Sequence, residues 1–345
     1  VSCGNQADIT VADLIEYLGE DSETSLILMY MENVGDGQKF MHALKKATRT
    51  KPVLIMKGGR TAAGSRAASS HSAALAGDYD VFKAAARQAG AILCDDIEDL
   101  VDVGLACQFL SLPRGRNVAV VTTPGGAGVT AADACDELQL ACPEIGAETT
   151  AKLQKFLPAC ASTANPIDLT MGVAGRYQII VDTLDVLFDD DSLNMFLVIG
   201  SDRESFVETL IENKDKLKRK PVAVSIMNLN FSSPAEYARM TGSVGAAGIP
   251  VYPTARRAIK AMSQLAVYAE YVEKNVRPVS LSTGIGKKQP TMRAQEIVAA
   301  AKAAGQRMLT ERQAMDLFDS YGIPVVKHGL ARSFDECLEV VDKIG

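Results

Sequence analysis

The feature that most constrains the fold is a regular alternation of short apolar runs with longer amphipathic stretches along most of the chain. The runs SLILMYME (25–32) and KPVLIMKGG (51–59) are apolar almost throughout, which is typical of strands buried on both faces of a sheet. Between them, DGQKFMHALKKATR (36–49) has helical periodicity. A βαβα order of this kind predicts an α/β protein with a parallel sheet and right-handed crossovers.

The segment PRGR (113–116) interrupts this order, and a second series of the same kind follows it. The remaining predicted elements of the first series are a helix at 78–90, a strand at 91–95 and a helix at 96–110. Those of the second series are strands at 117–124, 195–200, 220–227 and 249–253, a weak strand at 139–142, and helices from Ala127 and at 203–217, 234–248 and 255–272.

The two series resemble each other in sequence. KPVLIMKGG in the first matches KPVAVSIMN (220–228) in the second, and QAGAILCDDIEDLVDVG (88–104) matches AAGIPVYPTARRAIKAM (246–262). We therefore predict two flavodoxin-like units related by duplication, at 1–113 and 114–273. The alternative is that any two α/β units share such patterns, because β-branched strands recur in all of them.

The rest of the chain has a different character. Residues 274–308 are predicted to be a linker that contains one helix. Beyond it, Thr310 opens a capping box, IPVVKHGLA (323–331) is predicted as a strand, and Ser333 caps another helix. A helix–strand–helix segment of 37 residues cannot bury a core of its own, so 309–345 is predicted to be the start of a further domain.

Composition narrows the possible partners. The net charge is −6 and no basic block is present, which disfavours nucleic-acid binding. No apolar run approaches the roughly 18 residues of a membrane helix, and no signal peptide is recognisable. The seven cysteines form no CxxC pair and the three histidines are scattered, which indicates reduced thiols and no metal site. We predict a cytoplasmic protein without nucleic-acid, membrane or metal partners.

Two predicted loops that contain glycine follow predicted strands, at the strand ends where ligand sites gather in parallel sheets. KGGRTAAGSRAASSHSAALAG (57–77) consists largely of small residues, and TTPGGAGVTAADA (122–134) leads directly into a helix. Glycine lets the backbone approach a ligand, and the free N–H groups of a helix start attract an anion. Either segment is a candidate phosphate site, although glycine also serves helix–strand packing alone.

His71 lies in the first segment with no Asp, Glu or Cys within six positions. A neutral imidazole is nucleophilic near pH 7, and it accepts a phosphoryl group if a carboxylate holds its other N–H. Glu32 closes the apolar strand 25–32 and is the candidate for that carboxylate. On this local reasoning, a solvated Glu32 and a surface His71 remain an equally good interpretation.

These residues belong to a pattern that resembles a known family. GGRTAAGSRAASSHSAALAG (58–77) is similar to the phosphohistidine segment of the ADP-forming (NDP-forming) acyl-CoA synthetases, relatives of succinyl-CoA synthetase and ATP-citrate lyase. Ala73 and Ala74 replace the Thr-Gly that usually follows the histidine there. YMENVGDGQKF (30–40) resembles the segment that carries the family's stabilising glutamate, and Glu32 lies 39 residues before the histidine.

The resemblance extends over the whole chain. TTPGGAGV (122–129) is similar to the family's second phosphate-facing helix start, NPIDL (165–169) to a motif of the second unit, and LTERQAMDLFDSYGIPVVKHGLA (309–331) to the entry into the ATP-grasp domain. In the family a CoA-binding domain precedes the first unit, and the rest of the ATP-grasp domain follows. The 345 residues alone are therefore expected to be inactive.

The resemblance implies a fold and a reaction. The fold is a pair of succinyl-CoA-synthetase-like flavodoxin domains, a phosphohistidine domain (1–113) and a CoA-ligase domain (114–273), followed by the start of an ATP-grasp domain. The implied reaction converts carboxylic acid, CoA and ATP reversibly to acyl-CoA, ADP and phosphate through a phosphohistidine.

One phosphate-binding helix is expected to start just after His71, and the other at 125–128. The implied site residues are catalytic His71 and Glu32; phosphate-binding Ser70, Ser72, Gly125, Gly126, Ala127 and Gly128; and substrate-binding Asn165, Pro166 and Asp168.

The resemblance also implies partners. CoA, ATP and Mg²⁺ are substrates or activator of the full-length enzyme, no cofactor is bound tightly by this fragment, and family members often form dimers or larger homo-oligomers. The alternative is a non-catalytic, acyl-CoA-sensing regulatory module fused to an acyltransferase, in which the histidine is replaced. The presence of His71 favours the enzyme. The sequence leaves open which acid is used and whether ATP or GTP is preferred.

Overall fold

The computed structural model describes residues 2–3, 6, 8–72, 78–173, 175–276 and 292–344. The chain forms two compact units, Val1–Pro278 and Val279–Gly345. Both parallel sheets lie in the first unit. The predicted linker helix and the predicted start of a further domain fall together in the second.

The first half of the first unit is a three-stranded sheet with helices on both faces. Its described elements are α1 (Val11–Glu20), β1 (Ile27–Met31), α2 (Gly37–Ala47), β2 (Val53–Lys57), α3 (Ala62–Ser72), α4 (Tyr79–Gln88), β3 (Ile92–Cys94) and α5 (Ile97–Phe109). The strands are parallel in the order β1-β2-β3, with Leu54 of β2 in register with Leu28 and Ile92. Their carboxyl ends therefore meet at one edge of the sheet.

The second half is a five-stranded parallel sheet in the order β5-β4-β6-β7-β8. Its described elements are β4 (Val118–Thr122), α6 (Gly125–Glu137), α7 (Ala147–Leu153), β5 (Ile167–Asp168), α8 (Gln178–Phe188), β6 (Met195–Ser201), α9 (Glu204–Glu212), α10 (Lys214–Leu217), β7 (Val222–Met227), α11 (Pro234–Ala246), β8 (Val251–Tyr252) and α12 (Ala255–Val276). Every residue of the central strand β6 is buried. The predicted α/β architecture with two parallel sheets is confirmed.

The runs β1-β2-β3 and β6-β7-β8 have the same order of parallel strands with helices between them, which supports the duplication. In each run a helix, α4 or α11, ends just before a glycine in the left-handed region, Gly90 at φ +81° and Gly248 at φ +80°. Only glycine adopts this conformation without strain, and it ends a helix so that the next strand can begin. The matching Ala-Gly pairs in the sequence correspond to these two helix ends.

Helix α12 joins the two halves. Buried residues from both sheets and from α5, α6 and α12 form one continuous apolar cluster, which includes Leu54 and Ile92 of the first sheet and Val120 and Leu197 of the second. Near its end, α12 places Tyr271 over Gly90, where a Cβ would overlap the ring. The two sheets therefore share a core and form one body.

Several predicted elements differ from the structure. The weak strand at 139–142 is a single bridge between Ala141 and Asn117, and the helix at 203–217 is divided at Asn213 into α9 and α10. The strand predicted at 323–331 is wrong, because these residues form no strand. A strand requires a neighbour to pair with, and the described part of the second unit contains none. The helices α1, α7 and α8 and the short β5 were not predicted.

The second unit contains three described helices, α13 (Met292–Ala303), α14 (Glu311–Ser320) and α15 (Phe334–Ile344). The capping box that opens α14 is present, with Thr310 and Gln313 bonded reciprocally. The Ser333 side chain caps α15 by accepting the Glu336 N–H at 3.2 Å. Among the described residues of the whole chain, no helix is long and apolar enough to cross a membrane.

Candidate active site

Glu32 follows β1 at the carboxyl edge of the first sheet, directly after the register pair of Met31 and Lys57. Its Oε1 accepts a hydrogen bond of 2.9 Å from the Tyr30 hydroxyl. This hydrogen bond is the main reason that the pKa of the Tyr30 phenol is raised, with burial and the negative charge of Glu32 acting in the same direction. The phenol therefore stays protonated at neutral pH and holds the half-buried carboxylate in a defined orientation.

Lys57, the last residue of β2, is a buried cation with only 7% of its surface exposed. Its Nζ donates to the backbone carbonyls of Glu32 and Gly58, both at 2.6 Å, and lies 5.8 Å from the centre of the Phe82 ring. Burial lowers the pKa of Lys57, and the charge of Glu32 opposes that shift. The ammonium ties the segment after β1 to the segment after β2, which carries the predicted histidine motif.

Gly58 allows these two segments to lie in close contact. Its N–H donates to the Met31 carbonyl at 2.8 Å. A Cβ at this position would lie 2.7 Å from the Tyr30 hydroxyl oxygen and 3.3 Å from Cγ of Glu32, which is closer than side chains tolerate. An alanine at this position would therefore displace the Tyr30 hydroxyl and press against Glu32. The sequence reasoning identified Glu32 but missed Tyr30 and Lys57, for which the only signal was a polar residue at the end of each strand.

His71 lies in α3, in the last described turn of that helix. We expected a loop here, whereas residues 62–72 are helical. The residues directly after Ser72, where we predicted a helix start, lie outside the described part of the chain, and the next described helix, α4, begins at Tyr79 with Asp78 as its cap. The stretch 62–72 is rich in alanine and lacks β-branched residues, which favours a helix. Ser70 and Ser72 lie within α3, and their predicted phosphate-binding role stays a prediction.

The side chains of residues 68–72 and the whole of 73–77 lie outside the described part of the chain. The predicted contact between Glu32 and the His71 imidazole, the roles of Ser70 and Ser72, and the effect of Ala73 and Ala74 all fall there. The beginning of α3 is described, and Ser65 Oγ donates to the Gly59 carbonyl at 2.9 Å.

A network of charges anchors the connection between β2 and α3. Arg60 donates to the Asp95 carboxylate at 3.2 Å and to its carbonyl at 2.7 Å. Lys260 of α12 bonds the same carboxylate at 2.8 Å and lies 3.1 Å from Asp99. The Lys260 hydrogen bond is the main reason that the pKa of Asp95 is lowered. The network links the histidine-bearing segment to the helix that joins the two halves.

The second predicted phosphate site lies at the carboxyl edge of the five-stranded sheet. Helix α6 begins at Gly125, immediately after β4, and Pro124 at its N-cap provides no side-chain hydrogen bond. The Ala127 amide donates back to Pro124 at 2.9 Å. Gly126 is exposed, and no atom lies within 4 Å of where its Cβ would be. This helix start has small residues and an open approach, which suits an anion.

The structure brings the predicted substrate residues to this helix start. Asp168 pairs with Thr122 at the end of β4, and its Oδ2 would be overlapped by a Cβ at Gly125. Pro166 lies against Gly128, where a Cβ would be 3.1 Å from the proline Cβ. The two groups of residues, distant in sequence, therefore form one edge.

Asn165 has a scaffolding role in this edge. Its Oδ1 accepts the Val120 N–H at 2.9 Å, and its Nδ2 donates to the carbonyls of Val118 and Pro143 at 2.8 and 3.0 Å. The amide thus extends the ladder of β4 beyond its short pairing with β5. Because its donors and acceptor are engaged with backbone groups, Asn165 supports the pocket that we predicted it to line.

A further polar site, which sequence reasoning missed, follows β6. Asp202 is 4% exposed, and its carboxylate accepts backbone N–H groups of Leu229, Asn230 and Ser232 at 2.8–3.1 Å. Burial acts to raise the pKa of Asp202, but hydrogen bonds from the Ser232 side chain and from the backbone of Asn230 and Ser232 outweigh it and lower the pKa to about 2. The carboxylate shapes the loop after β7, which presents Phe231 at 92% exposure with φ +58°.

The other polar candidates do not form a site in the described chain. No group of three His, Cys, Asp or Glu residues there could hold a metal ion. Burial raises the pKa of Cys94, Cys107 and Cys135 to about 12, so these thiols are not nucleophiles at neutral pH. His42 is exposed on α2, and His328 Nδ1 lies 3.0 Å from the Val326 carbonyl.

Comparison with known proteins agrees with the motifs. A family model described as a succinyl-CoA ligase like flavodoxin domain matches residues 1–107. Acetate–CoA ligase (ADP-forming) I of Archaeoglobus fulgidus is 34% identical over 349 residues, which cover 100% of this chain and 48% of that protein. The 4-hydroxybutyrate–CoA ligase (ADP-forming) of Nitrosopumilus maritimus is 28% identical, with 100% and 48% covered. The chain spans about half the length of these curated relatives.

A solved structure agrees as well. The dinucleotide forming acetyl-coenzyme A synthetase 1 of Ca. Korarchaeum cryptofilum, in complex with phosphate and ADP, superimposes with a TM-score of 0.71 at 28% identity. The superposition covers 80% of this chain and 60% of that one. The resemblance and the flavodoxin-like fold expected from the sequence are confirmed. Over its whole length the chain is similar to ADP-forming acyl-CoA synthetases, and its residues 1–107 match the succinyl-CoA ligase like flavodoxin domain.

Proposed function

We propose that this chain is the acid–thiol ligase core of an ADP-forming acyl-CoA synthetase that acts through phosphorylated His71. The observation that carries the proposal is the carboxyl edge of the first sheet. There a carboxylate, Glu32, is oriented by Tyr30 and tied by Lys57 to the same connection that leads into the histidine helix. A held carboxylate beside a segment with one histidine is the arrangement that a phosphoryl-accepting imidazole needs.

In the proposed reaction, one imidazole nitrogen of His71 attacks the γ-phosphorus of Mg²⁺-bound ATP, and ADP leaves. Glu32 accepts the N–H of the other nitrogen, which keeps the attacking nitrogen unprotonated. A carboxylate oxygen of the acid then attacks the phosphorus, which releases the imidazole and forms an acyl phosphate. The CoA thiolate attacks the acyl carbonyl and inorganic phosphate leaves.

The start of α6 is the proposed second binding site for the phosphoryl group. The amides of Gly125 and Gly126 would stabilise its charge, because a helix N-terminus attracts anions, while Ala127, whose N–H is bonded to Pro124, and Gly128 would complete the turn without bulk. Pro166 and Asp168 lie against this turn and are the proposed wall of the acyl pocket. ATP would be bound by an ATP-grasp domain that begins in the second unit, near residue 309.

Radioactive labelling of the full gene product tests the proposal. With γ-labelled ATP and Mg²⁺, the protein should acquire a phosphate that is labile in acid and stable in base, and the acid together with CoA should discharge it. The variant His71→Asn should remain unlabelled, whereas His42→Asn, an exposed control on α2, should label normally. A label retained in His71→Asn would show that another residue is the nucleophile.

A further inference from the structure

We propose that Tyr30 is a positioning residue that keeps the Glu32 carboxylate ionised and correctly turned for His71. The inference rests on the proposed function and adds a residue to it. It starts from an anomaly of packing: Tyr30 is 57% exposed near the end of β1, yet its hydroxyl is bonded to the Glu32 carboxylate at 2.9 Å. An aromatic ring so exposed contributes little to the core, so the hydroxyl is the informative part of the side chain.

The surroundings preserve this bond. Gly58 lacks the Cβ that would lie 2.7 Å from the Tyr30 oxygen, and its own N–H is bonded to Met31. Lys57, on the neighbouring strand, bonds the backbone carbonyl of Glu32 and fixes where its side chain starts. With the start of the side chain fixed by Lys57 and one oxygen held by Tyr30, the orientation of the carboxylate is restricted.

The physical effect of the phenol is on charge as well as direction. A hydroxyl that donates to a carboxylate stabilises the ionised form, and so lowers the pH at which the carboxylate becomes protonated. Among the described hydrogen bonds of Glu32, the Tyr30 phenol on β1 donates to its carboxylate and the Lys57 ammonium on β2 donates to its backbone carbonyl. Of these two, Tyr30 bonds the carboxylate itself. Its loss should therefore leave Glu32 protonated over a wider range of acidic pH, where it accepts the imidazole N–H less well.

The test is the rate of His71 phosphorylation as a function of pH in the full gene product, with Tyr30→Phe compared to the natural protein. In the pH profile of Tyr30→Phe, we expect the acidic limb, where the rate falls, to lie about one pH unit higher than in the natural protein, since a hydrogen bond to a carboxylate lowers its pKa by about that much. At higher pH the rates of the two proteins should converge. Gly58→Ala displaces the same hydroxyl by another route and should move the limb in the same direction. Tyr17→Phe, on the exposed face of α1, is the matched control and should change nothing.

The outcomes separate the two proposals. If the natural protein is labelled and Tyr30→Phe has the same acidic limb, or loses rate equally at every pH, the role of Tyr30 is overturned while the phosphohistidine remains. If the natural protein is not labelled at all, the proposed function itself has failed. Circular dichroism of each variant shows whether the fold is retained, which the exposure of Tyr30 leads us to expect.

Discussion

Glu32 and Asp202 occupy corresponding places in the two halves of the first unit. Each follows the first strand of a matching run, directly after the last register pair, which is Met31 with Lys57 in one half and Ser201 with Met227 in the other. Glu32 is half-buried and takes a side-chain donor from its own strand. Asp202 is buried and accepts several donors from the loop after the next strand. The same topological position therefore holds the carboxylate that we propose to be catalytic in one half and a structural carboxylate in the other.

The largest effect expected from this contrast is on chemistry at Glu32. In Glu32→Gln the side chain keeps its size but loses the negative charge that would stabilise the N–H of the His71 imidazole. The rate of His71 phosphorylation should fall by about 100-fold or more, the range found for acid–base groups. The melting temperature should change little, because Glu32 lies at the surface edge. A variant that is phosphorylated at the natural rate would mean that the carboxylate has no part in the chemistry.

Asp202→Ala should show the opposite pattern. Removing a buried carboxylate leaves several N–H groups without an acceptor, and the free energy of unfolding should fall by about 3 kcal/mol. Because the folded pKa is about 2, below the ordinary value, the carboxylate stabilises the fold above about pH 4. That contribution is lost as the pH falls from about 4 towards 2. Urea unfolding of both proteins at pH 7 and pH 3 should therefore give a smaller difference at pH 3.

Asn165→Ala sharpens the distinction between supporting and contacting residues at the second edge. Its amide makes three hydrogen bonds to backbone groups, so we expect a loss of stability of about 2 kcal/mol. The KM for the acid should stay close to that of the natural protein when measured below the melting temperature. A large rise in KM with unchanged stability would instead show that the side chain contacts substrate.

The smallest effects concern two neighbouring glycines of α6. Gly125→Ala places a methyl group against Asp168 and should cost about 1–2 kcal/mol of stability. Gly126→Ala meets open space and should be neutral or stabilising, because alanine favours a helix by about 1 kcal/mol over glycine. Thermal melting of the pair distinguishes a packed turn from an open one. Equal melting temperatures would mean that Asp168 does not constrain the start of α6.

Most of the fold could be predicted from the sequence because β2, β4, β6 and β7 are buried on both faces, whereas the edge strand β1 exposes Leu28 and Tyr30 on one face. The alternation of β1, α2, β2, α4, β3 and α5 is visible as apolar runs and helical periodicity. Glu32 could be singled out because it is a charged residue at the end of an apolar run. The segment 323–331 shows the limit of this argument, since an apolar run predicts a strand only where a partner strand is present.

The site was harder to predict because its contacts are not local in sequence. Nothing near Asp202 in the sequence indicates that residues 229–232 return to it. No local pattern marked Lys57, because its burial depends on the segments that follow two different strands. Residues 62–72 looked like a loop because small residues suit both loops and helices. In each case the deciding interaction comes from another part of the chain.

The sharing of one core by the two halves has a thermodynamic consequence. Leu54 of one sheet and Leu197 of the other belong to the same cluster, and Tyr268 of α12 donates to the Thr48 carbonyl at 3.0 Å. Neither sheet can lose its packing without exposing part of the other, so the first unit should melt in a single calorimetric transition. The carboxyl edges of the two sheets then keep a constant distance from each other, and any group transferred between them must cross that distance.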